Sequence, residues 1–374
     1  MLSYRRGLGG TRASLPAGSW EAVVLKGLLL KPLAIPGCAE TLAHLTGTAA
    51  SVFMAHRFSS PEEGVVGHDP SELRRNLAYL RRRRYTLISL GELLRKLREG
   101  TSTKRAVAFT IDDGYFETGR VAAPIFAEFD CPVTTFVTTG FLDGKTWLWW
   151  DRLEFIFETT RRTELRARLG SDEFVYRLDS AEERAAASRD LSLRCQDASE
   201  ADRLRCILEL GREADVEVPA TAPARFASLS WAEARSLEKQ GMTFGPHTVT
   251  HPVLSSTADD QAESEIVESW RRLCQQVLHP TPVFCYPSGR HQDYGEREIA
   301  IVRELGLWGA VTAQPGEIHH SEFRQPAANL YRIPRFAYRD SLPHVLQSVS
   351  GLETVKLRLR RISGYGGVRR PSLI

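Results

Sequence analysis

The feature that most constrains this chain is a rhythm of short apolar runs, each followed by sequence of helical period. The runs are residues 51–55, 106–111, 133–137, 283–286 and 309–312. Continuous apolar runs of this length are expected of strands covered on both faces, as in parallel sheets. Between them, Leu73, Leu77 and Leu80 predict a helix over 70–80. Ser89 and Gly100 bracket a second helix after a short strand at 85–88, and Ser230 with Glu233 three residues on reads as a capping box opening a third. Strand, helix, strand with short links predicts a β/α barrel, whose chemistry sits on loops at the C-terminal ends of the strands. Residues 145–228 break the rhythm. They open with Trp147-Leu148-Trp149-Trp150, continue Arg/Glu-rich, and close with Pro219 and Pro223, which predicts a helical insertion beside the site.

With 374 residues, the chain is long enough for one such barrel with insertions. Hydrophobic residues at 42% and charged residues at 25% are the balance of a folded protein in water. A net charge of +3 is too mild for a nucleic-acid binder, and no module of that kind is present. Basic residues do gather at 81–84 and at Lys356, Arg358, Arg360 and Arg361. A solvated helix face accounts for such runs; contact with anionic lipid is the sharper reading, at about 1 kcal/mol per basic residue. The six cysteines contain no C-x-x-C pair, so neither a zinc knuckle nor a disulfide framework is expected. The best apolar stretch near the start, residues 22–35, is interrupted by Lys26, Lys31 and Pro32. It reads as neither a signal peptide nor a membrane span, although an interfacial helix fits it. These features predict a cytoplasmic, membrane-peripheral protein of unspecified oligomeric state. Its expected parts are a lead-in over 1–50, a barrel over 51–345 and a basic tail over 346–374.

Two strand-end motifs carry the chemistry. In Thr110-Ile111-Asp112-Asp113-Gly114-Tyr115, adjacent carboxylates resist ionising together, and a divalent cation removes that penalty. A surface turn explains the pair equally well when it is taken alone. In His247-Thr248-Val249-Thr250-His251-Pro252, histidines four apart can share one side of a helical turn and offer nitrogens to one metal. Carboxylate plus two imidazoles make the three-ligand, open site that hydrolytic metals use.

Together these motifs resemble the first two motifs of the polysaccharide deacetylases related to the rhizobial nodulation deacetylase. The resemblance covers roughly residues 51–340, interrupted by the insertion. It implies a deformed (β/α) barrel of the polysaccharide deacetylase type, with Asp112 as general base and Asp113, His247 and His251 as metal ligands. Zinc suits that ligand set, and cobalt, nickel or iron are compatible with it. The third motif is similar to Phe284-Cys285-Tyr286-Pro287-Ser288-Gly289. Many relatives carry arginine where Cys285 stands and tyrosine where Ser288 stands. The backbone N–H of Ser288 still suits the oxyanion contact, and Arg335 is the candidate to replace the missing arginine. The general acid that many relatives carry in a Leu-x-His motif is not assigned; His56, at the end of the first predicted strand, is the candidate for the active site. Tyr115, Tyr286, Pro287 and Trp150 are expected on the substrate, with Trp147, Trp149, Trp150 and Asp151 as an aromatic platform for sugar rings or, equally, as core.

The expected partner is an N-acetylated polysaccharide, oligosaccharide or lipid-linked glycan. Two alternatives stand beside it: hydrolysis of another non-peptide amide on the same fold, and a catalytically weak carbohydrate-binding relative.

Overall fold

A computed structural model describes residues 31–35, 37–101, 105–322 and 330–362 of the chain. Its strands are β1 (Thr48–Ala55), β2 (Thr86–Leu87), β3 (Ala106–Ile111), β4 (Val133–Val137), β5 (Glu164–Leu169), β6 (Asp172–Arg177), β7 (Thr243–Pro246), β8 (Val283–Cys285), β9 (Gly309–Val311), β10 (Ile318–His319) and β11 (Phe336–Ala337). β1, β3, β4 and β7 lie side by side in parallel, and β11 joins the other side of β1 with Phe336 opposite Phe53. β8 and β9 form their own parallel pair. Ile333 bridges to Val311 just before β11, and the Thr281 N–H donates to the Phe244 carbonyl at 2.7 Å between β7 and β8. The strands therefore curl into a barrel-like ring whose ladder gives way on the β7–β8 side.

Every residue of β1, β3 and β4 is buried, because the ring has a core on each side. Val107, Phe109 and Ile111 face outward to a helix layer that includes Leu73, Leu77, Ile125 and Leu237. Ala106 and Ala108 face inward, where space is short, against Val52, Phe136, Val283 and Val311. Truncating Phe109 to alanine would cost about 3–5 kcal/mol by the usual scale for buried aromatics. The expected caps are present. Ser89 Oγ accepts from the Glu92 N–H at 3.1 Å with Gly100 ending that helix, and Ser230 with Glu233 closes a capping box.

The insertion differs from the all-helical expectation. Helices Trp149–Thr159, Ala181–Gln196 and Glu200–Glu213 enclose a β5–β6 hairpin, and together they build a separate core around Leu153, Phe157, Leu165, Leu191 and Leu210. Leu165 and Ala167 are buried while Glu164, Arg166 and Arg168 point outward, so the hairpin's charged face hides a strand of period two. The insertion rejoins the barrel at Ser228, which pairs with Tyr115, and the Phe116 N–H donates to the Ala227 carbonyl at 3.1 Å.

The expected basic tail is helical instead as far as Ile362. Leu346 and Val349 belong to the outer core, and Ser51 Oγ donates to the Ser348 carbonyl at 2.9 Å. The run at 81–84 is partly structural: Arg81 donates to the Phe129 carbonyl and Arg83 pairs with Glu40 at 2.9 Å. The apolar stretch at 22–35 lies outside the described residues up to position 30. Among the described residues no helix is long and apolar enough to cross a membrane.

Candidate active site

Asp112 and Asp113 directly follow β3. The β1–β3 register continues one step, with the Asp112 N–H donating to the Ala55 carbonyl at 2.9 Å, and this sets His56 beside Asp112. His56 Nε2 is 4.0 Å from Asp112 Oδ2 and its side chain is 48% exposed. Asp113 then takes φ 75°, a left-handed turn that aspartate tolerates better than most residues. Gly114 follows at φ 91°; a Cβ there would meet Leu142 at 2.9 Å and Val137 at 3.1 Å.

The histidine pair sits on an irregular loop after β7, not on the expected helical turn. Thr248 and His251 both have positive φ, at 64° and 63°. Side chains hold this loop where helical bonding does not. Glu265 accepts from the Val249 and Thr250 N–H groups at 2.8 and 2.9 Å, and Thr248 Oγ1 accepts from the His251 N–H at 3.0 Å. The loop after β4 ties in as well, through the Thr139 and Gly140 N–H groups on the carbonyls of Thr248 and Val249. Among the described residues, Asp113, Thr248, His251 and Ser288 account for half of the non-glycine positive-φ residues, so backbone strain is concentrated at this end of the barrel.

Asp113, His247 and His251 are all buried, and their ligand atoms lie within 4.8 Å of one another. Asp113 Oδ1 is 3.7 Å from His247 Nε2 and 3.6 Å from His251 Nε2. His247 is oriented by its other nitrogen, 2.8 Å from the Cys285 carbonyl, which leaves Nε2 as the free lone pair. Burial pulls its ring down to about 4 against the opposing pull of Asp112, and burial lowers His251 further, so both imidazoles are neutral ligands near pH 7. Burial, then the negative charges of Asp112 and Asp151, push Asp113 well above the carboxylate range. A divalent cation suits a buried carboxylate in that position, so the donor chemistry fits a metal.

A second grouping, Asp112, His247 and Cys285, is also compact. It fits less well, because Arg335 already occupies both Asp112 oxygens. Arg335 Nη1 donates to Oδ1 at 2.7 Å and Nη2 to Oδ2 at 2.8 Å. Nη1 also reaches Thr110 Oγ1, Nη2 reaches the Cys285 sulfur at 3.1 Å, and Nε donates to the Thr312 carbonyl. Burial opposes the Asp112 charge, but Arg335, helped by the histidines, more than offsets this and holds the carboxyl well below the usual range. The Cys285 thiol is pushed up by burial and stays protonated.

The remaining expected residues divide. Ser288, at φ 59°, is half-buried, and among the described residues its backbone N–H has no acceptor. Pro287 is buried beside it. Tyr286 is 1% exposed and stacks on Tyr294 at 4.1 Å, in the layer beneath helix Glu296–Glu304; it does not reach the donor cluster. Tyr115 also lies inside, donating its hydroxyl to Asp151 Oδ2 at 2.8 Å under the Arg57 guanidinium. It supports the site from below and does not open to substrate. Of the tryptophans, Trp147 is core and Trp149 packs on the insertion under Arg203. Trp150 meets the His251 ring edge to face at 4.8 Å, with Nε1 donating to the Tyr115 hydroxyl. Glu265, Glu117 and Arg57 went unnoticed in the sequence. Glu265 lies in a helix of ordinary acidic pattern and carries no local signal of its role.

Residues 197–309 match the polysaccharide deacetylase family. That span holds His247, His251 and the Tyr286-Pro287-Ser288 turn, whereas Asp112, Asp113 and Arg335 fall outside it. No curated protein matches the chain in sequence. In fold it is similar to the deacetylase PplD of Streptococcus pyogenes, solved in complex with acetate, with a TM-score of 0.51, 20% identity, and coverage of 81% of this chain and 97% of that one. It is likewise similar to IcaB from Ammonifex degensii, with a TM-score of 0.51, 15% identity, and coverage of 81% and 98%. At these identities the likeness is one of fold, and it agrees with the barrel expected from the strand rhythm.

Proposed function

We propose, from the match of residues 197–309 to the polysaccharide deacetylase family, that this chain removes N-acetyl groups from a polysaccharide, oligosaccharide or lipid-linked glycan, by hydrolysis at a site holding a divalent metal. The observation that carries the reading is the placing of Asp112, clamped on both oxygens by Arg335, beside the buried Asp113–His247–His251 donor set.

Asp113, His247 and His251 would hold the cation, which would supply Lewis-acid activation of water and of the acetamide carbonyl. The chain's own groups do the rest. Asp112 takes the proton of the attacking water; Arg335 keeps its carboxylate ionised and in one orientation, so the base is ready at neutral pH. The free Ser288 N–H donates to the carbonyl oxygen as negative charge builds there. His56, open to solvent next to Asp112, protonates the departing amine, and acetate and the free amino sugar leave.

Arg335 also bears on the alternatives. With the family's usual arginine absent at Cys285, a binding-only relative was a real option; the restored clamp on Asp112 supports a working base. The acetate bound to the Streptococcus protein accords with acetate as product here. Acetate release from N-acetylglucosamine oligomers tests the reading, with Asp112→Asn as its control. The variant should keep its metal and lose about 10²–10⁴-fold in turnover. Near-normal turnover would remove Asp112 from the base role.

A further inference from the structure

The two imidazoles of the donor set are held in different ways. His247 Nδ1 lies 2.8 Å from the Cys285 carbonyl, a bond that fixes the ring and aims Nε2. His251 Nδ1 is buried and, among the described residues, meets no hydrogen-bond partner. A ligand ring without such a bond keeps its aim only where packing stops it from turning. That packing is present. The His251 ring stands between Trp150, at 4.8 Å and 81°, and His247, at 4.7 Å and 84°. Both are edge-to-face contacts, the arrangement that aromatic pairs prefer.

Trp150 is itself fixed from two directions. Its Nε1 donates to the Tyr115 hydroxyl at 2.9 Å, and that hydroxyl donates to Asp151 Oδ2 at 2.8 Å. Its ring also meets Trp149 at 5.1 Å, with the Arg203 guanidinium over Trp149 at 4.9 Å. Arg203 is fully buried, donating from Nη1 to Glu200 at 2.6 Å and from Nε to the Cys195 carbonyl at 2.9 Å. Contacts therefore run without a break from helices Ala181–Gln196 and Glu200–Glu213, through the first turn of Trp149–Thr159, to a ring of the donor set. We infer that Trp150 is the positioning residue for His251, doing by packing what the Cys285 carbonyl does for His247 by hydrogen bonding, and that the insertion is thereby a working part of the metal centre. The inference rests on the metal-centre part of the deacetylase reading.

Zinc affinity of the full chain, measured by competitive titration, tests this. Trp150→Leu should bind zinc about tenfold or more weakly than wild type. Trp150→Phe, which keeps an aromatic edge against the imidazole, should retain most of the affinity. Leu165→Ala opens the insertion's own core within the β5–β6 hairpin, away from His251, and should bind zinc as wild type does. Unchanged affinity in Trp150→Leu, equal losses in Trp150→Phe and Trp150→Leu, or an equal loss in Leu165→Ala overturns the inference. If Trp150→Leu does not fold, hydrogen exchange of wild type carries the test. Coupling is reciprocal, so zinc should slow exchange in the first turn of Trp149–Thr159, and unchanged exchange there overturns the inference. Acetate release measured in parallel separates the two ideas. The expected affinity pattern without acetate from any oligomer supports the positioning role and refutes the deacetylase reading. Acetate from wild type with undiminished affinity in Trp150→Leu refutes the positioning role alone, and no zinc binding by wild type overturns both.

Discussion

Replacing Arg335 with methionine removes the guanidinium but keeps most of the side-chain volume. Asp112 and Arg335 are 3% and 1% exposed at their side chains, so their contact is sheltered from water. Two charge-assisted bonds, at 2.7 and 2.8 Å, would be lost. Bonds to charged groups contribute about 1.5–3 kcal/mol each, and breaking one side of a buried pair costs about 3–5 kcal/mol because the other charge is stranded. The two routes agree on a loss of roughly 3–5 kcal/mol in unfolding free energy, measured by urea denaturation at neutral pH. Asp112→Asn added to Arg335→Met should recover much of that loss, because the stranded charge is gone. Turnover follows separately: with its carboxylate no longer held ionised, the base should lose about 10²–10⁴-fold in kcat. A stability change under about 1 kcal/mol, with turnover near wild type, would refute the argument that Arg335 serves as the clamp for Asp112.

Two further outcomes follow from other residues. Glu265→Gln weakens the acceptor that holds the Val249 and Thr250 N–H groups, so zinc affinity by competitive titration should fall about tenfold or more, and unchanged affinity would detach Glu265 from the site. Burial pushes the Asp151 carboxyl up to about 8, with Glu154 and Glu117 adding to the shift and Arg57 and the Tyr115 hydroxyl opposing it. Between about pH 4 and that value the unfolded chain releases a proton that the folded chain keeps, so Asp151's contribution to stability falls as pH rises through the window. Asp151→Asn should therefore gain on wild type in urea midpoint between about pH 5 and about pH 8.5, and a constant difference would contradict the assignment.

The ring of strands was legible because it depends on local pattern. An apolar run ending in Asp112-Asp113-Gly114 announces both the strand and its motif within a few residues, and the spacing of His247 and His251 marks the second motif. Arg335 was legible only as a candidate. Its contact with Asp112 spans 223 residues, and no local signal fixes which strand end faces which. The histidine loop was misjudged for a related reason. A spacing of four fits a helical turn, but Glu265 and Thr248 stabilise a left-handed alternative that the spacing does not reveal. Tyr115 and Tyr286 stand next to reactive residues in sequence, yet their side chains point into the protein interior, Tyr115 toward Asp151 and Tyr286 toward Tyr294. The β5–β6 hairpin escaped notice because its outward residues are the charged types that also cover helices.

The most direct test of the central claim is the metal content of purified wild type and His251→Ala by elemental analysis, read together with acetate release from N-acetylglucosamine oligomers. About one divalent ion per chain with acetate release, both lost in the variant, is the expected result. Full metal retention in His251→Ala, or acetate release from a chain stripped of metal, would contradict the assignment of Asp113, His247 and His251 as the metal centre of a deacetylase.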